Sequence, residues 1–165
     1  MARVGSRPLI GFPETVNEVA ARLVAGGVVV MSLTALVLRQ HWLLIPLAYG
    51  FWARVLTGPR LSPLGLFVTR VVVPRLDVAA RPVPGPPKRF AQGIGAACTT
   101  TALVAYFGLG LTGVADVILA MMVVFATLES VFALCVGCRI FAGLMRVGVI
   151  PPEVCEACND LRLTA

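Results

Sequence analysis

Four of the five cysteines fall into two CxxC pairs, Cys135-Val-Gly-Cys138 and Cys155-Glu-Ala-Cys158, with sixteen residues between them. Thiols paired at this spacing hold a soft metal, or pass electrons or sulfane sulfur through a disulfide or persulfide. Two short pairs about fifteen to twenty residues apart fit the four-cysteine pattern of a structural zinc site, and the same thiolates suit an iron–sulfur cluster. In that alternative Cys135, Cys138, Cys155 and Cys158 are all metal ligands and close a tetrahedral shell. Arg139 stands where a zinc knuckle usually has a glycine turn, which weakens the match.

For thiol chemistry the two pairs have different settings. Pro151 and Pro152 end whatever precedes them, Pro152 suits a first helical position, and Glu153 follows in the first turn. Cys155 is then expected near a helix N-terminus, where the dipole and free amides stabilise a thiolate, with Cys158 on the same face. This makes Cys155 the attacking and Cys158 the resolving thiol. Cys135 and Cys138 are expected at the C-terminal end of the last apolar segment, where dipole and apolar surroundings raise a thiol pKa. They read as receivers of electrons or sulfur. Cys98, alone in an apolar run, reads as a packing residue.

One further acid, Glu129, lies inside an apolar segment. A helical hairpin turning at Gly113 would set it against Cys98 and the hydroxyls of Thr99, Thr100 and Thr101. The expectation is a protonated carboxyl hydrogen-bonded to one of those threonines as helix glue; a proton or cation role is the alternative. Cys138 falls on the opposite helical face from Glu129, nine residues on. His41, the only histidine, is remote from every cysteine, and Asp116 is expected to lie in water. Gly93, Ala97 and Thr101, at spacing four, read as a close helix-packing face.

The elements that must position these groups are dictated by composition. Of 165 residues, 58% are hydrophobic and 13% charged, against about 45–50% and 25% in soluble domains. A mean hydropathy of +0.91 is that of an integral membrane protein. A crossing helix needs about 20 apolar residues, and four segments are candidates: about 20–38, 42–56, 90–112 and 117–138. The second is the shortest, and its crossing requires Arg54 to snorkel to the headgroups; a re-entrant hairpin of the first two segments is the alternative. Asn17 and Glu18 are expected to open the first helix, and no cleavage site follows it.

Four spans put thirteen of the fourteen Lys and Arg residues on one side, with only Arg39 opposite. By the positive-inside rule both termini are expected in the cytoplasm of a bacterium, with the chain in its plasma membrane. The net charge of +6 is thus accounted for by topology, and no nucleic-acid partner is expected. Residues 58–89 form a basic, proline-rich cytoplasmic connection. Its first half is expected to lie in the interface, and RPVPGPPKR to form an extended strap on anionic lipid or a cytosolic partner. Residues 139–165 form a cytoplasmic, cysteine-containing tail with a short helix.

In this order of features the chain resembles the bacterial membrane family known as domain of unknown function 4395. The resemblance is carried by FPETVNEVAARL, GPRLSPLG, GPPKRFAQGIG and, most specifically, CVGCRIFAGLMRVGVIPPEVC. It implies a small polytopic membrane protein with a C-terminal cysteine motif, associated with thioredoxin-like and sulfurtransferase-type proteins. That association bears on Cys135 and Cys138 first, with Cys155 and Cys158 as companions. The expected molecule is an all-α membrane protein of four spans whose dithiols relay electrons or persulfide sulfur to such a partner. A scaffold or small transporter with a structural metal site is the alternative.

Overall fold

The structure, a computed structural model, describes residues 13–76, 78–155 and 158. It is all-α but for one two-stranded ribbon: β1 (Thr15–Asn17), α1 (Glu18–Val37), α2 (Leu44–Thr57), α3 (Pro63–Phe67), α4 (Val73–Arg75), β2 (Pro82–Pro84), α5 (Gly85–Leu103), α6 (Thr112–Phe132) and α7 (Val136–Arg146). Five π-helical residues, Val68–Val72, join α3 to α4, and five more, Val104–Gly108, extend α5.

Among the described residues, three helices are long and apolar enough to cross a membrane: Glu18–Val37, Gly85–Gly108 and Thr112–Phe132. Asn17 caps α1 by accepting the Val19 N–H at 3.1 Å, so the first helix starts where the sequence placed it. The second segment falls short. The 14 residues of α2 rise about 21 Å, against about 30 Å of hydrocarbon. Arg54 does not snorkel out; it is 6% exposed, with Nε donating to Gln92 Oε1 at 2.8 Å and Nη1 to Ser62 Oγ at 3.1 Å.

The core joins α1, α2, α5 and α6 through Val28, Leu44, Phe51, Ala96 and Leu119. The small face of α5 is not the stripe expected. Nothing lies within 4 Å of a Cβ built at Gly93, and Ala97 and Thr101 are exposed. The close contact is at Gly95, where a Cβ would run into the Phe51 ring. Absence of a side chain there is what lets α2 approach α5.

The proline-rich strap is the second correction. Only Pro82–Pro84 is extended, paired antiparallel with β1 (Thr15↔Pro84, Asn17↔Pro82). From Gly85 the chain is already helical, because Pro86 and Pro87 occupy the first turn, whose amides have no intrahelical acceptor in any case. Lys88 and Arg89 therefore belong to α5 and not to a loop.

At the end of the bundle opposite the ribbon, Asp116 is not a free surface acid. It receives Arg39 Nη1 at 2.6 Å and His41 Nε2 at 2.7 Å. His41 is buried and stacks on Tyr106 with ring centroids 4.3 Å apart. This knot ties the α1–α2 turn to the start of α6, far from the paired thiols.

Candidate dithiol site

The last apolar run does not continue to Cys138. Helix α6 stops at Phe132, and Ala133 takes a left-handed conformation, φ 57°. Arg22 of α1 reaches across to the carbonyls this leaves open, donating Nε to Ser130 O and Nη2 to Val131 O, both at 3.0 Å. A cation on a helix C-terminus satisfies both the hydrogen-bonding and the dipole demands of that end.

Three residues later a new helix begins, and Cys135 is its N-cap. Its Sγ accepts the Cys138 N–H at 3.4 Å. Cys135 therefore sits at a helix N-terminus and not at a C-terminus, which reverses the expected electrostatics of this pair. Gly137 makes the position possible: a Cβ there would lie 2.6 Å from the Ala91 Cβ, so only glycine lets this turn rest directly on α5.

Both thiols are free. Cys135 is buried and Cys138 half-buried. The hydrogen bond from the Cys138 thiol holds the Cys135 thiol below its ordinary pKa, and nearby Lys88 acts in the same direction, against burial and the Glu129 carboxylate. Donating that hydrogen bond, together with burial, pushes Cys138 far up. One low thiol and one high thiol, three residues apart, make an attacking and resolving pair.

Lys88 and Glu129 stand beside them. Lys88 Nζ donates to Glu129 Oε1 at 2.6 Å, with the two side chains 11% and 16% exposed. The expected threonine partners are not used. Thr99, Thr100 and Thr101 bond the carbonyls of Gly95, Ala96 and Ala97 on their own helix. The α5–α6 turn centres on Leu109–Leu111, ahead of Gly113, which moves Glu129 away from the threonines and toward the first turns of α5, where the Lys88 side chain reaches it.

The second pair is in its oxidised form: Cys155 and Cys158 are joined in a disulfide. Cys155 closes a single 3-10 turn, Pro152–Cys155, with Glu153 in it as expected, and is buried. The helix expected to continue beyond lies largely outside the described residues. Cys158 lines a cavity of about 440 Å³ together with Cys135, Cys138, Lys88, Arg139 and Arg146. The structure thus brings a dithiol and a disulfide to one basic cavity. Among the described residues, no three His, Cys, Asp or Glu side chains are grouped so as to hold a metal.

A family model described as Domain of unknown function (DUF4395) matches residues 16–146. The chain belongs to this family. No curated protein and no solved structure matches it. In this DUF4395 chain the matched residues include Cys135 and Cys138, the helix N-terminus that carries them, and both members of the Lys88–Glu129 pair. Cys155 and Cys158 lie beyond the matched region.

Sequence reasoning assigned Lys88 to a strap and so missed it. The signal was present: Lys88, Gln92, Gly95 and Thr99 recur at helical spacing, and would have extended α5 back through the prolines. Arg22, a cap for a helix end more than a hundred residues away, had no local signal.

Proposed function

We propose that this DUF4395 protein is a membrane-bound dithiol relay at the cytoplasmic face of a bacterial plasma membrane. It exchanges electrons with a soluble protein of thioredoxin or sulfurtransferase type. The observation that carries the reading is the shared basic cavity lined by Cys135 and Cys138 as thiols and by Cys158 of a disulfide. In a compartment that keeps thiols reduced, a disulfide facing a dithiol marks exchange chemistry and not a permanent staple.

The exchange balances without a further reactant. The Cys135 thiolate attacks Cys158 Sγ; the Cys155–Cys158 bond breaks and its electron pair leaves on Cys155. Cys138 then attacks Cys135 Sγ and releases Cys158. One disulfide replaces another, and two electrons and two protons pass between the pairs, in either direction. The attacking role thus moves from Cys155 to Cys135. Cys155 and Cys158 become the outer station, on the tail, with the half-buried Cys158 as the sulfur a soluble partner meets and Cys155 buried behind it.

Four crossings suit this arrangement, with α2 as the short one. The 3-10 turn His41–Leu43 adds about 6 Å to α2. Arg54, Gln92 and Ser62 satisfy one another inside the protein at its inner end. Both termini then lie with the cysteines in the cytoplasm, in keeping with the distribution of basic residues.

The test is thiol exchange in detergent with a reduced thioredoxin-like protein. Wild type is expected to take up two pairs of electrons per chain when fully oxidised. Cys135→Ser should take up one pair, and Cys155→Ser should lose fast uptake. Uptake by Cys155→Ser at the wild-type rate would refute the relay.

A further inference from the structure

Cys135 is shared by two cavities. The first is the basic cavity already described. The second lies within the bundle, lined by Val28 of α1, Arg54 of α2, Gln92 and Cys98 of α5, and Glu129 of α6, with Cys135 at its foot. Its volume is about 150 Å³. A cavity of roughly that size accepts one six-membered ring.

Its walls are mainly apolar, from Val24 and Phe51 to Met122 and Ile140. Met121 and Phe125 also line it and are 36% and 42% exposed on the outside of α6. Because α6 is one of the helices able to cross a membrane, that side of the cavity faces hydrocarbon. A ligand entering there comes from the lipid phase. Inside, it meets the N–H groups of the Arg54 guanidinium and the Gln92 carboxamide, donors suited to a carbonyl oxygen. It also meets a thiol able to give up electrons.

We infer that this cavity is a quinone site, in which a lipid-soluble quinone enters ring first past Met121 and Phe125, binds against Arg54 and Gln92, and oxidises the Cys135–Cys138 dithiol. The site deepens the relay and rests on that reading: it supplies the two-electron acceptor at the membrane end. The step balances. Two S–H bonds break and one S–S bond forms between Cys135 and Cys138. The quinone takes both electrons and both protons and leaves as the hydroquinone.

The test uses the full chain, reduced and freed of reductant, in quinone-free lipid nanodiscs under anaerobic conditions. The probe is duroquinone, whose ring carries no hydrogen to be displaced by a thiol. Quinone loss is followed by absorbance, and the cysteines oxidised are mapped by alkylation and mass spectrometry. Wild type should form one hydroquinone per disulfide formed, two per chain once the tail pair has passed its electrons inward, and Cys135→Ser none. Cys98→Phe and, independently, Ala126→Leu fill the cavity without touching the paired thiols. Each should slow quinone reduction about tenfold or more while exchanging with the soluble dithiol protein at the wild-type rate, which also shows that the variant is folded.

Quinone reduction by Cys135→Ser at the wild-type rate, or unslowed reduction in the filled-cavity variants, would overturn the site. Failure with quinone but normal exchange with the soluble protein would overturn the site and leave the relay. Normal quinone reduction without exchange would do the reverse.

Discussion

Replacing Lys88 by Met removes the ammonium that Glu129 bonds directly and leaves the carboxylate to the longer-range field of Arg54. Glu129 is 16% exposed and accepts Lys88 Nζ at 2.6 Å. Without the ammonium, its carboxylate must stay charged in a poorly solvated site or take up a proton. Breaking such a pair from one side costs about 3–5 kcal/mol, whereas replacing both members by apolar groups of similar volume is often neutral. For a chain of this size that is a fall of roughly 6–20 °C in Tm. Thermal unfolding in detergent, followed by intrinsic fluorescence, should show the full loss in Lys88→Met and recovery to near wild type in Lys88→Met/Glu129→Leu. The reasoning would be refuted if Lys88→Met unfolded within about 1 kcal/mol of wild type, the value of a solvated surface pair, or if the double variant fell further than the single.

Three further outcomes follow from the turn between α6 and α7. Alkylation of Cys135 by iodoacetamide should persist below the pH at which an ordinary thiol stops reacting, falling only as pH drops through its lowered pKa. Cys138 should stay unreactive until well above the ordinary thiol range, because its pKa is raised; mass-resolved alkylation rates from pH 5 to 9 check both. Gly137→Ala should destabilise the protein by about 1–3 kcal/mol through overpacking against Ala91, and should slow Cys135 alkylation by displacing the α7 N-terminus. Ala133→Gly should raise stability by about 1 kcal/mol in the same unfolding assay, since it relieves a left-handed residue.

The membrane class, the start of α1, the thiol pairs and the helical path of Glu129 were all legible from residue order. Apolar runs and caps are local signals, and here they were clear. The break at Ala133 was not, because Val131 to Val136 is an unbroken apolar stretch and the helix end is set by Arg22 from the other side of the bundle. That one misplacement inverted the electrostatics assigned to Cys135, putting the negative end of a helix where the positive end of another stands. The prolines misled in a different way. Their number in RPVPGPPKR argued against helix, but Pro86 and Pro87 sit in the one turn that tolerates them, and Lys88 was lost with them. The contact of Asp116 with both Arg39 and His41 depends on how α1, α2 and α6 meet, which no single segment encodes.

The central claim is that the inner dithiol and the tail pair react with each other. The direct measurement is made on Cys138→Ser/Cys155→Ser, which keeps one cysteine of each pair, oxidised mildly with diamide in detergent and digested without reduction. The account predicts a Cys135–Cys158 disulfide within single chains as the main product, formed faster than any link to Cys98. A product dominated by links between chains, or Cys135 left free while Cys158 is consumed elsewhere, would contradict it.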